Sequence, residues 1–226
     1  MAFRLSAKGK KLTEIFLLTA VVIAAFFFWN SFVTFPVKLL VVLLHESSHG
    51  VMTLLTGGRI IEMQITYQLG GACVAKGGNP LIIAPAGYIG SALLGALIFA
   101  STKNFNFSRA VCDVLALVFL LLVILYIKTI FGVLFTLGFC LLFFLSPRFL
   151  PNFIHFFLLR TIGIMSCLYV IIDIKEDLLT SASQTNTDAG VLARATHIPA
   201  MGWGVIMFIV SVTVTFLLVR NYLKRG

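Results

Sequence analysis

Apolar runs long enough to cross a lipid bilayer recur along the chain, at about residues 12–33, 36–56, 80–100, 153–174 and 198–219. A membrane-spanning helix needs about 20 consecutive apolar residues, so each run is long enough for one span. Hydrophobic residues make up 60% of the chain and charged residues 11%. Soluble domains have about 25% charged residues, so a soluble fold is excluded. The runs therefore predict a multi-pass integral membrane protein.

The stretch 110–145 is apolar but too long for a single membrane helix. Lys128 and Gly132 near its centre predict two short spans separated by a turn. The predicted fold class is therefore all-α, with six to seven transmembrane helices. Basic residues at both ends favour an even number, because basic flanks stay on the cytoplasmic side of a membrane.

Basic residues concentrate at the two ends of the chain, and the formal net charge is +9. Anionic lipid headgroups explain such flanks, so the lipid bilayer is a predicted partner and nucleic acid is not. A single membrane-embedded domain is predicted over residues 1–226. It contains a basic tail at 1–11, a hairpin loop at 57–79 and a polar loop at 180–197.

The polar, glycine-containing segment 57–79 is not a membrane span. Residues 62–69 alternate polar and apolar side chains, which is the pattern of a half-buried strand. Two glycines and a second short apolar run follow, so the segment predicts a small β-hairpin. We expect Ile65 and Tyr67 to turn inward, against the preceding helix.

The run 36–56 contains the sequence His45-Glu46-Ser47-Ser48-His49, an HExxH motif. Histidines at positions i and i+4 lie on one face of a helix, where both imidazoles can bind one Zn²⁺. A glutamate between them lies beside a metal-bound water and can accept its proton as a general base. The motif therefore predicts a zinc site with Glu46 as the catalytic residue.

The location of this motif strengthens the prediction, because six apolar residues precede it and place it at membrane depth. Ionisable side chains cost free energy there, and those that occur are usually functional. The alternative is a polar cluster that forms hydrogen bonds between helices, in which Ser47 and Ser48 would share.

A catalytic zinc needs a third protein ligand, and few carboxylates are available. Asp173 follows a long apolar run, so its burial calls for a cation, and we predict it as the third ligand. The alternatives are Asp188 and Asp177. Asp177 lies one turn after Asp173 and could instead orient a histidine ligand. Asp188 could instead cap the helical turn that follows it.

Glycines in the run 80–100 predict close helix packing. Gly87 and Ser91 have the small-x-x-x-small spacing that lets membrane helices approach each other. We expect Gly87 and Gly90 to face another helix, with Gly95 beside them.

Taken in order, these residues resemble the small branch of the site-2-protease superfamily, which are intramembrane zinc metallopeptidases. The residues that carry the resemblance are His45–Gly50, Thr56–Arg59, Gly70-Gly71, Ala86–Ser91, Asp173-Ile174 with Asp177, and Thr187–Ala189 before Ile198-Pro199. The resemblance implies a zinc bound by His45, His49 and an aspartate, with Glu46 catalytic. The Leu-Asp-Gly motif that supplies the third ligand in larger relatives does not occur, and PDZ-like insertions are absent.

The leading hypothesis is a zinc-dependent endopeptidase that cleaves peptide bonds within or next to transmembrane segments, using a zinc-bound water and Glu46. A transmembrane protein substrate must unwind locally, because a helix hides its backbone in internal hydrogen bonds. The edge of the hairpin could hold the unwound segment as an added strand. The hairpin residues that we expect to contact the substrate are Ile65, Tyr67, Gly70 and Gly71.

Two other functions stay open at this point. One is a non-catalytic membrane scaffold, chaperone or assembly factor, that is a pseudoprotease on the same fold, because the third-ligand motif is missing. The other is a metal transporter, which is disfavoured because most spans carry no ionisable residue. A second copy of the chain or a membrane-protein complex is a further candidate partner.

Overall fold

The chain forms eight helices and one two-stranded antiparallel sheet over the residues that the computed structural model describes, 7–28, 31–32, 34–179 and 187–224. The helices are α1 (Ala7–Phe27), α2 (Phe35–Leu55), α3 (Pro80–Ser101), α4 (Phe105–Leu125), α5 (Ile130–Phe149), α6 (Asn152–Leu179), α7 (Asp188–Thr196) and α8 (Ala200–Lys224). The strands are β1 (Arg59–Ile65) and β2 (Gly71–Lys76). The predicted helical membrane protein with a small β-hairpin after the HExxH helix is confirmed.

Five helices among the described residues are long and apolar enough to cross a bilayer, namely α3, α4, α5, α8 and the Asn152–Tyr169 part of α6. The predicted division of 110–145 is confirmed, since α4 ends at Leu125 and α5 begins at Ile130. The predicted total of six to seven spans also counted α1 and α2, which are helices of 21 residues each. Neither is among the five. Polar side chains in α2 lower its mean hydropathy, and the apolar part of α1, Ile15–Ala24, is too short to cross a bilayer.

Polar side chains at the turns set where several helices begin. Asn79 accepts a hydrogen bond from the backbone N–H of Leu81 at the start of α3, and Asn104 does the same at the start of α4. Thr129 caps α5 in the same way. Free N–H groups at a helix start need such acceptors, and in a membrane water cannot replace them.

Helix α2 lies at the centre of the bundle. Leu39, Leu40, Leu43 and Leu44 are at most 1% exposed and belong to one buried core together with residues of α4 and α6. Its next turns, which carry the HExxH residues, are therefore held inside the protein and away from lipid. This placement makes a polar site at membrane depth possible, because other parts of the chain surround it.

The β-hairpin folds back along α2. Ile60 of β1 lies next to Gly50, and Gly71 of β2 lies next to Val42, about two turns earlier in the helix. The backbone N–H of Met63 donates to the carbonyl of Tyr126 at 3.0 Å. The turn between α4 and α5 therefore covers the outer edge of β1, so β2 carries the free edge of the sheet.

The hairpin prediction is correct for Ile65 and wrong for Tyr67. Ile65 is 0% exposed and packs in the core with α2, as expected. Tyr67 is 61% exposed, and its ring contacts Phe35 and Phe131. The reason is that β1 ends at Ile65, so the alternation of inward and outward side chains does not continue into the turn.

The three glycines of α3 face other helices, as predicted. A Cβ at Gly90 would meet the Ser48 side chain of α2, and one at Gly87 would meet both histidines. At Gly95, a Cβ would lie 2.7 Å from the Ser166 Cβ and 2.8 Å from the Gly163 carbonyl oxygen of α6.

We expect Gly95→Ala to lower the stability of the folded protein by about 1–3 kcal/mol, because backbone of α6 must move to admit the methyl group. The measurement is thermal unfolding in detergent. Gly138→Ala is the matched control, since a Cβ at Gly138 would have nothing within 4 Å. Equal unfolding temperatures for the two variants would show that α3 and α6 are not closely packed at this point.

Candidate metal centre

His45 and His49 lie one turn apart on the buried part of α2, and their side chains meet. The ring centroids are 4.7 Å apart with an interplanar angle of 76°. The Nε2 atoms of the two rings are 3.0 Å apart. The i, i+4 spacing of the HExxH motif therefore brings two nitrogen ligands to one point, as helix geometry requires.

Asp188 brings a carboxylate oxygen to the same point from far along the chain. Its Oδ2 lies 3.1 Å from the His45 Nε2 and 3.2 Å from the His49 Nε2. Ligand atoms of these three residues all lie within 4.8 Å of one another. The side chains are 10–19% exposed, so the group is largely shielded but can be reached.

Helix α7 holds Asp188 in place. Thr187 is the residue that caps the helix, because its side chain accepts a hydrogen bond from the Gly190 N–H at 3.1 Å. Asp188 is thus the first helical residue, where the helix dipole favours a negative charge. Ala189 and Leu192 are buried in one cluster with residues of α3, α6 and α8.

Burial opposes the ionisation of Asp188, but its bonds to His45 and His49 outweigh burial and lower the pKa of this carboxyl below its ordinary value. Asp188 is therefore in the ionised form that a metal ligand requires.

A backbone carbonyl sets the orientation of the His49 ring. The His49 Nδ1 lies 2.7 Å from the carbonyl oxygen of Ile83, which can only accept a hydrogen bond. The Nδ1 therefore carries the proton, and in a neutral ring the Nε2 presents a lone pair to Asp188 and His45. A lone pair that faces a carboxylate repels it, so the ionised Asp188 needs a positive charge between itself and the rings, either a ring proton or a metal ion. This arrangement fits a metal ion, because histidine ligands are commonly oriented in this way.

The distances and the space also fit zinc. Around a tetrahedral zinc with bonds of about 2.1 Å, neighbouring ligand atoms lie about 3.4 Å apart. The three ligand atoms here are 3.0, 3.1 and 3.2 Å apart, so small outward shifts complete such a set. On the α3 side, a Cβ added to Gly87 would collide with the Nε2 atoms of both histidines. The lack of a side chain at Gly87 therefore leaves the room that an ion needs.

Glu46 lies between the two histidines in sequence and is enclosed by the hairpin. The residue is 8% exposed, and its side chain rests against Gly71 of β2. The backbone amide of Cys73 interacts with its carboxylate. Burial, together with the nearby Glu46 carboxylate, raises the pKa of the Cys73 thiol to about 12. Cys73 therefore stays protonated, which makes it a poor nucleophile.

A cavity of about 640 Å³ opens next to these residues. His45, Glu46, His49 and Asp188 line one part of it, together with Tyr88 and Tyr169. The free edge of the hairpin lines another part, through Gly71, Ala72, Cys73, Ala75 and Gly77. An extended peptide in this cavity would therefore lie between the edge of β2 and the candidate metal ligands.

The structure places the hairpin residues predicted to contact substrate in different surroundings. Gly71 lines the cavity. Gly70 belongs to the turn, where its N–H donates to the Thr66 hydroxyl at 3.2 Å. Ile65 lies in the core, and Tyr67 lies on the outer surface of the turn, so neither side chain lines this cavity.

Two of the predicted ligand candidates lie on α6. The backbone of Asp173 and Asp177 is helical, and their side chains lie outside the described part of the chain. The polar loop at 180–197 contains α7, which brings Asp188 to the histidines. The capping role considered for Asp188 belongs to Thr187, the preceding residue.

Sequence reasoning did not find the contribution of Gly87 to the metal centre. The small-x-x-x-small spacing correctly indicated close packing of α3, but not that the packed surface consists of the two histidine rings. The Ile83 carbonyl and Cys73 were also missed, since neither belongs to a motif. A glycine near the middle of the span that follows an HExxH helix is the one signal that was available.

Comparison with known proteins adds one finding. No curated protein and no solved structure matches the chain. Residues 18–218 match the family described as Peptidase M50B-like, and this range includes α2, the hairpin, α7 and the cavity between them. The chain therefore belongs to the Peptidase M50B-like family of membrane metallopeptidases, in agreement with its resemblance to the site-2 proteases.

Proposed function

We propose that this protein is a zinc-dependent intramembrane endopeptidase. The observation that supports it most is the convergence of His45, His49 and Asp188 on one point, beside Glu46 and a cavity inside the helix bundle. Membership of a metallopeptidase family supports the same conclusion. Asp188 is the third ligand in this proposal. Asp173, the ligand predicted from sequence, stays a prediction that a separate measurement must test.

The chemistry of the residues fits peptide hydrolysis. When bound by His45, His49 and Asp188, Zn²⁺ supplies a Lewis acid that polarises a scissile carbonyl and lowers the pKa of water. Glu46 accepts a proton from the attacking water and delivers it to the leaving amine. Its buried position next to the histidines suits this role, because a general base must lie within hydrogen-bond reach of the proton that it removes.

The free edge of β2 is the proposed binding site for the substrate backbone. The Met63 N–H points away from β2, toward Tyr126, so Met63 and its partner Cys73 form a pair without mutual hydrogen bonds. The backbone groups of Cys73 therefore point to the free edge, as do those of Gly71 two residues earlier. The Glu46 carboxylate interacts with the Cys73 N–H, so the Cys73 carbonyl and the backbone groups of Gly71 are the ones proposed to bind the substrate. A transmembrane segment that unwinds locally could pair with this edge as an added strand.

Glu46→Gln tests this function directly. The amide cannot accept a proton, so we expect cleavage to fall by about 10²–10⁴-fold while zinc remains bound at the wild-type ratio. The measurement is cleavage of quenched fluorescent single-span peptides in proteoliposomes, with zinc content determined on the same samples.

Glu62→Gln is the matched control, because Glu62 lies on β1 away from the cavity, and its side chain accepts a hydrogen bond only from Gln64 among the described residues. It should cleave at the wild-type rate. Zinc-loaded wild-type protein that cleaves none of a broad peptide set would contradict the enzyme and favour a non-catalytic scaffold. Full cleavage by Glu46→Gln would exclude Glu46 as the base.

A further inference from the structure

The hairpin does more than border the cavity, because it holds the side chain of Glu46. We propose that Gly71, together with the backbone N–H of Cys73, positions the Glu46 carboxylate for its reaction. This inference rests on the proposed function and adds a positioning role for β2 toward the general base. It concerns contacts within the chain itself, so part of its test does not depend on catalysis.

The first observation is steric. A Cβ at Gly71 would lie 2.7 Å from the Cγ and 2.7 Å from the Oε1 of Glu46. Gly71 is not among the glycines with positive φ, which are Gly57, Gly77 and Gly78. Its backbone conformation is therefore open to any residue, and the close approach of the Glu46 and Val42 side chains is what requires glycine here.

The second observation is the direction of the Cys73 backbone. The Met63 N–H bonds to Tyr126 and so points away from β2. Because Cys73 is the partner of Met63 in the sheet, its own N–H points away from β1, toward the free edge of β2. The Glu46 carboxylate interacts with this same amide. A buried carboxylate needs such donors, since burial without them costs several kcal/mol.

These contacts matter because α2 alone does not fix the carboxylate. A glutamate side chain has three rotatable bonds, so the helix places its Cβ but leaves the position of its oxygens open. The backbone of Gly71 blocks movement of the Glu46 side chain on one side, and the Cys73 N–H holds one of its carboxylate oxygens in place. Misplacement of a catalytic group by about 1 Å can cost about 100-fold in rate.

The first test is a double-mutant cycle on thermal stability, carried out on the full chain in detergent. All variants carry Val42→Ala, because a Cβ at Gly71 would also meet the Val42 Cγ1 at 2.6 Å. We expect Gly71→Ala to lower the Tm by at least about 3 °C when Glu46 is present. The loss should shrink to less than about 1 °C when Glu46→Ala is added. Equal losses with and without Glu46→Ala would overturn the contact.

The second test separates positioning from folding and from metal binding. We expect Gly71→Ala to keep zinc at the wild-type ratio and KM within about threefold, while kcat falls by about 100-fold. Gly138→Ala is the matched control and should retain wild-type kcat, because a Cβ there has open space. Wild-type kcat in Gly71→Ala would overturn the positioning role. If the wild-type protein cleaves no peptide, the proposed function fails, and the stability cycle alone decides whether Gly71 holds Glu46.

Hydrogen exchange keeps the inference testable if Gly71→Ala does not fold. Glu46→Ala removes the partner of the Cys73 N–H, so we expect exchange of this amide to become at least about tenfold faster. An unchanged exchange rate would overturn the proposed role of the Cys73 amide.

Discussion

Gly87→Ala should abolish zinc binding, although it adds only one methyl group. The added Cβ would collide with the Nε2 atoms of His45 and His49, which are the atoms proposed to bind the ion. The methyl group would thus occupy the space between α3 and the ligands. We expect zinc content to fall from about one per chain to below about 0.1, with loss of all zinc-dependent cleavage. The measurement is elemental analysis of the purified variant.

Gly90→Ala separates this effect from a general loss of helix packing. Gly90 lies on α3 one turn later, and a Cβ there would meet the Ser48 Cβ at 2.6 Å but neither histidine. This variant should unfold at a lower temperature yet keep its zinc. Full zinc content in Gly87→Ala would contradict the proposed position of the ion, and equal zinc loss in both variants would indicate disruption of the α2–α3 interface instead.

The second large effect is expected for Asp188→Ala. Asp188 supplies the only carboxylate oxygen that approaches both histidines among the described residues. Its removal leaves two protein ligands, whereas catalytic zinc sites in proteins have three. We expect zinc affinity to fall by at least about 100-fold, measured by competition with a zinc chelator.

Asp173→Ala is the matched comparison, because it removes the same group at the position that sequence reasoning favoured. It should keep zinc affinity within about threefold of the wild type if Asp188 is the ligand. The reverse result, with zinc lost in Asp173→Ala and retained in Asp188→Ala, would assign the third ligand to α6.

The histidine pair and the hairpin could be predicted because both depend on local sequence. The i, i+4 spacing of His45 and His49 fixes their geometry on any helix. The alternation of polar and apolar residues at 62–69 predicts a strand that can pack against the helix just before it. The wrong prediction for Tyr67 shows the limit of this reasoning. A period-two pattern does not reveal where a strand ends and its turn begins.

The third ligand could not be derived in this way. Asp188 is 139 residues beyond His49, and the packing of α7 among α3, α6 and α8 brings them together. Sequence reasoning favoured Asp173 because it follows a long apolar run and is expected to be buried, whereas Asp188 lies in a polar segment. Long-range contacts of this kind depend on the tertiary arrangement of whole helices, which local patterns do not encode.

Zinc K-edge X-ray absorption on protein purified without added metal tests the metal centre most directly. Coordination by His45, His49 and Asp188 predicts about one zinc per chain, with only nitrogen and oxygen ligands at about 2.0–2.2 Å and the outer-shell scattering of two imidazoles. Glu46→Gln should give the same spectrum, since Glu46 is proposed as a base and not as a ligand. Protein without bound zinc, or zinc with a sulfur ligand at about 2.3 Å, would contradict this assignment.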